Sequence, residues 1–227
     1  MTQTKVDEKR KNHSAHRWSF RWFALISGAE IYRMAKTGCI AGLVGGFALF
    51  SSFFWIDSEI EVPFGTFYKA VGMVVGLDDL SAITFGFFAH MLTASLIGAI
   101  FCICSRLHRL LAISSVPKGI IGGAVTGVQV YAIFFMPITL YVMFPMISLQ
   151  ASGQLLTTEE DMRVAQILVH SYDKILWGSL VLHVLYGAVM GLFSSIMLYE
   201  EYHMKEKPKK EKRNSWEKLE SEHWPST

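Results

Sequence analysis

The chain has 227 residues, 52% of them hydrophobic and 18% charged, with a formal net charge of +2. The charges crowd both ends and leave long stretches almost free of them, which is the patterning of a polytopic membrane protein and excludes a large soluble core. Basic residues flank the apolar segments instead of forming a patch, so no nucleic-acid partner is expected.

Residues 1–34 read as a cytoplasmic arm. They are basic, aromatic and broken by charge, so no cleavable signal peptide is expected. After the polar Met1–His16, Trp18, Trp22, Ile26 and Ala29 recur at helical spacing among Arg17, Arg21 and Arg33. That pattern predicts an amphipathic helix on the inner leaflet, with indole rings at headgroup level and arginines toward anionic lipid.

Residues 35–105 read as a first helix hairpin. Its first span, 35–56, carries Gly38-x3-Gly42-x3-Gly46 followed by Phe53-Phe54. Glycine at every fourth position lays bare backbone along one face, where another helix approaches closely. Val62-Pro63 then leads into Phe64, Phe67, Tyr68, Val71 and Val75. Interrupted by Gly65, Gly72 and Gly76, this stretch predicts a short or irregular helix on the outer surface. The second span, 81–105, carries His90-x3-Ala94-x3-Gly98. Cys39, Cys102 and Cys104 sit near cytoplasmic ends and read as small apolar fillers.

Residues 106–199 read as a second hairpin. Pro117 suits a helix start, and the third span, 118–144, carries Gly119-x3-Gly123-x3-Gly127 followed by Phe134-Phe135. Pro137 should either kink this span or end it, with Ile138–Phe144 as an outer extension. Thr157-x-x-Glu160 and Thr158-x-x-Asp161 both resemble N-terminal caps. Met162, Ala165, Val169 and Tyr172 follow at helical spacing, predicting one helix from about Thr158 to Tyr199. Its membrane part, 175–199, carries His183-x3-Gly187-x3-Gly191. The tail, 200–227, alternates Lys with Glu and should fray from a helix into disorder.

The arm, the central link (Arg106, Arg109, Lys118) and the tail are basic, whereas both outer loops are mainly acidic. The positive-inside rule therefore puts both termini in the cytoplasm of a cell that holds the protein in its plasma membrane. The fold class expected is all-α: a four-transmembrane-helix bundle of two hairpins repeated in parallel, not inverted, with short interfacial helices. The glycine frames should pack against Ala94/Gly98 and Gly187/Gly191, inside the bundle or against a second subunit.

Both histidines fall about 12–14 Å below the outer surface at ~1.5 Å per residue, and Gln129 falls at a similar depth. Three readings apply to His90, Gln129 and His183. They can be a seam of interhelical hydrogen bonds, the axial ligands (His90 and His183) of a haem b, or part of a proton or ion path. Against a permease, no Asp, Glu, Lys or Arg is expected inside a span. The outer side, where haem propionates would lie, is mainly acidic, which favours the seam, and no cofactor is expected. His170 and Asp173 near Glu159, Glu160 and Asp161 read as a solvated acidic face rather than a metal site. No nucleophile–base arrangement, phosphate loop or metal motif occurs.

The glycine-rich entry Gly38–Gly46, the outer Pro63 and the His-x3-small-x3-small exit helices at His90 and His183 resemble the YagU-like, small prokaryotic inner-membrane proteins of unknown function. The similarity covers roughly 35–199 and implies an architecture of two hairpins without an assigned activity. The functional expectation is a structural or accessory membrane protein. Its expected partners are the bilayer, anionic lipid at the cytoplasmic face, and copies of itself or other membrane subunits.

Overall fold

The structure, a computed structural model, describes residues 27–107, 111–155 and 158–223, with side chains as far as Leu198. All regular structure among them is helical. Helix α1 runs Gly28–Glu59 and begins where the Ser27 hydroxyl accepts the Glu30 N–H at 3.2 Å. It absorbs Ala29 and Arg33 from the expected arm helix; Trp18, Trp22 and Ile26 lie outside the described residues. At ~1.5 Å per residue it is about 48 Å long, more than hydrocarbon alone requires.

The short outer helix expected after Pro63 is α2, Thr66–Met73. It starts at Gly65, whose φ of +86° is a left-handed conformation that favours glycine. Gly65 has no side chain to cap with, and the carboxylate of Asp57 substitutes by accepting its N–H at 2.8 Å. Asp57, which falls in the loop expected after the first span, is 2% exposed. The reason is that α1 continues past the expected span end and carries this residue under α2. Helix α3, Asp79–Leu107, then runs back antiparallel to α1. α2 lies tightly on α3, because a Cβ on Gly72 would strike Ala82 and one on Gly86 would strike the Tyr68 backbone.

Helix α4, Val116–Ala151, neither ends nor breaks at Pro137. Instead it widens twice into π-turns, Tyr131–Phe135 and Thr139–Met143. The physical cause is two prolines. Pro137 and Pro145 cannot donate to the carbonyls of Ile133 and Tyr141, and those residues are the centres of the two π-turns. A wider turn separates each proline ring from the carbonyl it would otherwise strike.

The single helix expected from Thr158 is two. α5, Glu159–His170, is capped by Thr158, whose hydroxyl accepts the Asp161 N–H at 3.1 Å; Thr157 lies outside the described residues. The chain leaves helical geometry at Ser171 (φ −94°, ψ 14°), and α5 packs against the outer end of α4. α6 starts at Tyr172 and continues as backbone helix to His223, beyond the fraying expected after residue 200.

Thus α1, α3, α4 and the Tyr172–Leu198 part of α6 are the helices long and apolar enough to cross a membrane. α1 packs on α3, α6 on the Val116–Val130 part of α4, and α1 on α6; α3 and α4 share no comparable seam. The core consists of Ala41, Leu49, Phe53, Tyr68, Ala94, Leu182, Tyr186 and Met190, none of them from α4. The helices therefore stand around α1 and α6, with a lateral cleft between α3 and α4.

Candidate functional site

The glycine frames meet the partners their spacing suggests. A Cβ built on Gly38 would land on the Gly98 carbonyl, and one on Gly42 on the Ala94 carbonyl. Gly46 faces Ala94 and the His90 ring. On the other seam Gly119 lies against Gly191 and Ser195, Gly123 against Gly187, and Gly127 against the His183 carbonyl. Both small faces are consequently occupied within the chain. Cys102 is buried and its thiol lies 3.4 Å from the Ser194 hydroxyl, while Cys39 and Cys104 are half-buried.

These close seams position the histidines. His90 Nε2 is 3.2 Å from the Gly46 carbonyl, and His183 Nδ1 is 2.6 Å from the Ser179 carbonyl. A carbonyl only accepts, so both ring nitrogens donate, which fixes the tautomers. The second nitrogen of each neutral ring then carries a lone pair. Ring contacts hold the imidazoles in place: His90 against Tyr68 at 5.7 Å, His183 against Phe135 at 4.9 Å and Tyr131 at 5.6 Å. The two Phe pairs are joined through α2, with Phe53 stacked on Phe67 at 4.2 Å and Phe67 on Phe135 at 5.7 Å.

Both histidines line one cavity of about 190 Å³ in the cleft between α3 and α4. Its other walls include Phe67, Phe134, Phe135 and Tyr186. Gln129, expected at this level, is exposed and is not among the lining residues. About half a turn of helix decides this, because Gly127 faces α6 and Gln129, two positions on, points away from it.

Two lining residues escape sequence reasoning. Tyr68 is 1% exposed, and its hydroxyl has no hydrogen-bond partner; Thr139 is 7% exposed, and its hydroxyl has none either. Burial, then the charge of Asp57, pushes the Tyr68 phenol well above its usual range, so it stays a protonated donor. Periodicity marks Tyr68 only as part of an apolar face, and nothing in sequence separates Thr139 from other helical threonines. The difference emerges in the helix: Thr84, Thr93, Thr126 and Ser148 each donate to the carbonyl four residues back, and Thr139 does not.

Outside the cleft, Lys69 of α2 is paired with Asp79 of α3 at 3.0 Å and Asp161 of α5 at 2.8 Å. It borders a broader hollow of about 450 Å³ between α2, α5 and the outer end of α4. Burial acts to lower the Lys69 pKa, but the two acids outweigh it and hold it above 10.5. The hydrogen bond from Lys69 depresses Asp161 below 3.8. His170 and Asp173 form no metal-binding group among the described residues. No family model, curated protein or solved structure matches this chain.

Proposed function

We propose that this chain is a multi-pass protein of the plasma membrane, made of two parallel copies of one helix hairpin, that acts as an accessory component of the membrane. One observation carries this reading. The polar side chains that line the cleft are hydroxyls and two imidazoles, each imidazole bonded to a backbone carbonyl, with no Asp, Glu, Lys or Arg among them, an arrangement suited to holding rather than to transforming. The repeat is supported by register: Gly38, Gly42 and Gly46 take the same seam positions against α3 as Gly119, Gly123 and Gly127 take against α6. With both small faces occupied inside the chain, a partner must use the exposed apolar ridges, among them Phe47, Phe88, Ile121 and Val125.

Orientation rests on the basic ends and the acidic outer segments. Cysteines introduced at Glu159 and at Lys118 test it: membrane-impermeant maleimide on intact cells should label the first alone. The accessory reading requires a specific membrane partner to co-purify after mild solubilisation. Recovery of the chain by itself from crosslinked native membranes would oppose it.

Axial ligation of haem b by His90 and His183 has one observation in its favour. His183 donates its Nδ1–H to a backbone carbonyl and leaves Nε2 free, the support that ligating histidines commonly have, whereas His90 would have to release Nε2 from the Gly46 carbonyl. It requires the 190 Å³ cleft to widen, since sites for drug-sized ligands already run to roughly 300–1,000 Å³. A Soret band lost in His183→Ala is the result it demands, and a colourless protein rejects it.

A further inference from the structure

We infer that the cleft between α3 and α4 binds one substituted quinone-type ring from the surrounding lipid phase. Size comes first. An apolar cavity of about 150 Å³ is sufficient for a benzene ring, so about 190 Å³ accommodates one ring with small substituents. The walls suit a flat ring, because Phe67, Phe134, Phe135 and Tyr186 offer aromatic faces and edges. The opening suits a tail: α3 and α4 share no seam, so a chain attached to the ring leaves sideways into hydrocarbon.

The polar groups then choose the ring's chemistry. Buried hydroxyls without partners are costly, and the cleft contains two, on Tyr68 and Thr139. Both are donors awaiting acceptors, which ring carbonyls supply. Thr139 is the more telling, since its neighbours in kind satisfy themselves on their own helix. The carbonyl four residues back, which it would otherwise use, is that of Phe135, the last residue of the first π-turn. His183 contributes the opposite character. Its Nδ1–H is committed to Ser179, leaving Nε2 as an acceptor for the hydroxyl of the reduced ring. The cleft is thus matched to both oxidation states of the ligand, with no redox step assigned to the protein.

This inference stands whether or not the chain has a protein partner. The test is photolabelling of the full chain in nanodiscs with an azido-benzoquinone carrying a short alkyl tail, followed by mapping of the adduct. Saturable labelling within α3 and α4 around Thr93, Phe134 and Thr139 is expected, displaced by the unlabelled quinone and not by the matching alkane. Thr139→Val keeps shape while removing the donor and should weaken binding about ten-fold, the effect of one hydrogen bond. Tyr68→Phe should act similarly. Ala89→Phe, which fills the cleft, should abolish labelling at unchanged thermal stability; the wild-type adduct map serves even if that variant misfolds. Displacement by the alkane, labelling outside the cleft, or unaltered affinity in Thr139→Val would each overturn the inference.

Discussion

At the scale of single residues, close approach decides more than polarity. Gly122 and Gly123 are neighbours of the same type, yet a Cβ on Gly122 would meet nothing nearer than a Phe101 ring carbon at 3.9 Å, whereas one on Gly123 would overlap the Gly187 carbonyl. Gly123→Ala should therefore destabilise the protein by about 1–3 kcal/mol through overpacking. Gly122→Ala should stay within about 0.5 kcal/mol. Unfolding in mixed detergent micelles measures both, and equal effects would reject the seam. The Lys69–Asp161 pair predicts a pH profile. Asp161 is depressed, so its contribution is present above the usual carboxylate range and is lost as pH falls through the lowered value. Lys69 is raised, so its contribution holds below 10.5 and is lost as pH rises through the higher value. Asp161→Asn should lower stability by about 1 kcal/mol across the plateau between those limits. Melting curves of the two proteins should converge in strong acid. The glycine frames and histidines were legible as spacing in the chain. Tyr68 and Thr139 were not, because an unpartnered hydroxyl is a property of the folded neighbourhood and leaves no mark on periodicity.

At the scale of elements, the sequence identifies helices better than their joints. Thr158 was readable as a cap, but the break at Ser171 was not. The apolar spacing continues across it, and the contacts of α5 with α4 redirect the chain. Likewise Pro137 announced a disturbance in α4 without saying which kind. Each π-turn inserts about one residue, turning everything beyond it by roughly 100°. Pro137→Ala with Pro145→Ala should let both turns revert to α geometry and swing the outer end of α4 away from α5. The hydrogen bond from Gln166 to the Ala151 carbonyl, 3.2 Å, gives a convenient reporter. Cysteines at 151 and 166, with the native three replaced by Ser, should crosslink in the parent. Crosslinking should drop several-fold in the double-proline variant; undiminished crosslinking would show that the π-turns are held by packing instead.

At the scale of the whole molecule, the two halves meet chiefly where α1 crosses α6, and Gly45 makes that possible by lying against Tyr186 and Met190. Residues 1–107 and 111–227 expressed as separate chains should therefore reassemble and co-purify. Gly45→Leu should abolish the association while leaving each half's own glycine seam intact, and persistent co-purification would relocate the joint. If the halves are copies, Gly46 corresponds to Gly127 and Gly45 to Thr126. A perfect two-fold would then bring Thr126 against α3 as Gly45 is brought against α6. A threonine at that place keeps the backbones apart, and the contact closed on one side of the axis stays open on the other. Exact symmetry would have created two equivalent clefts or none. On that correspondence the chain holds one occupant, and a binding isotherm should show a single class of sites.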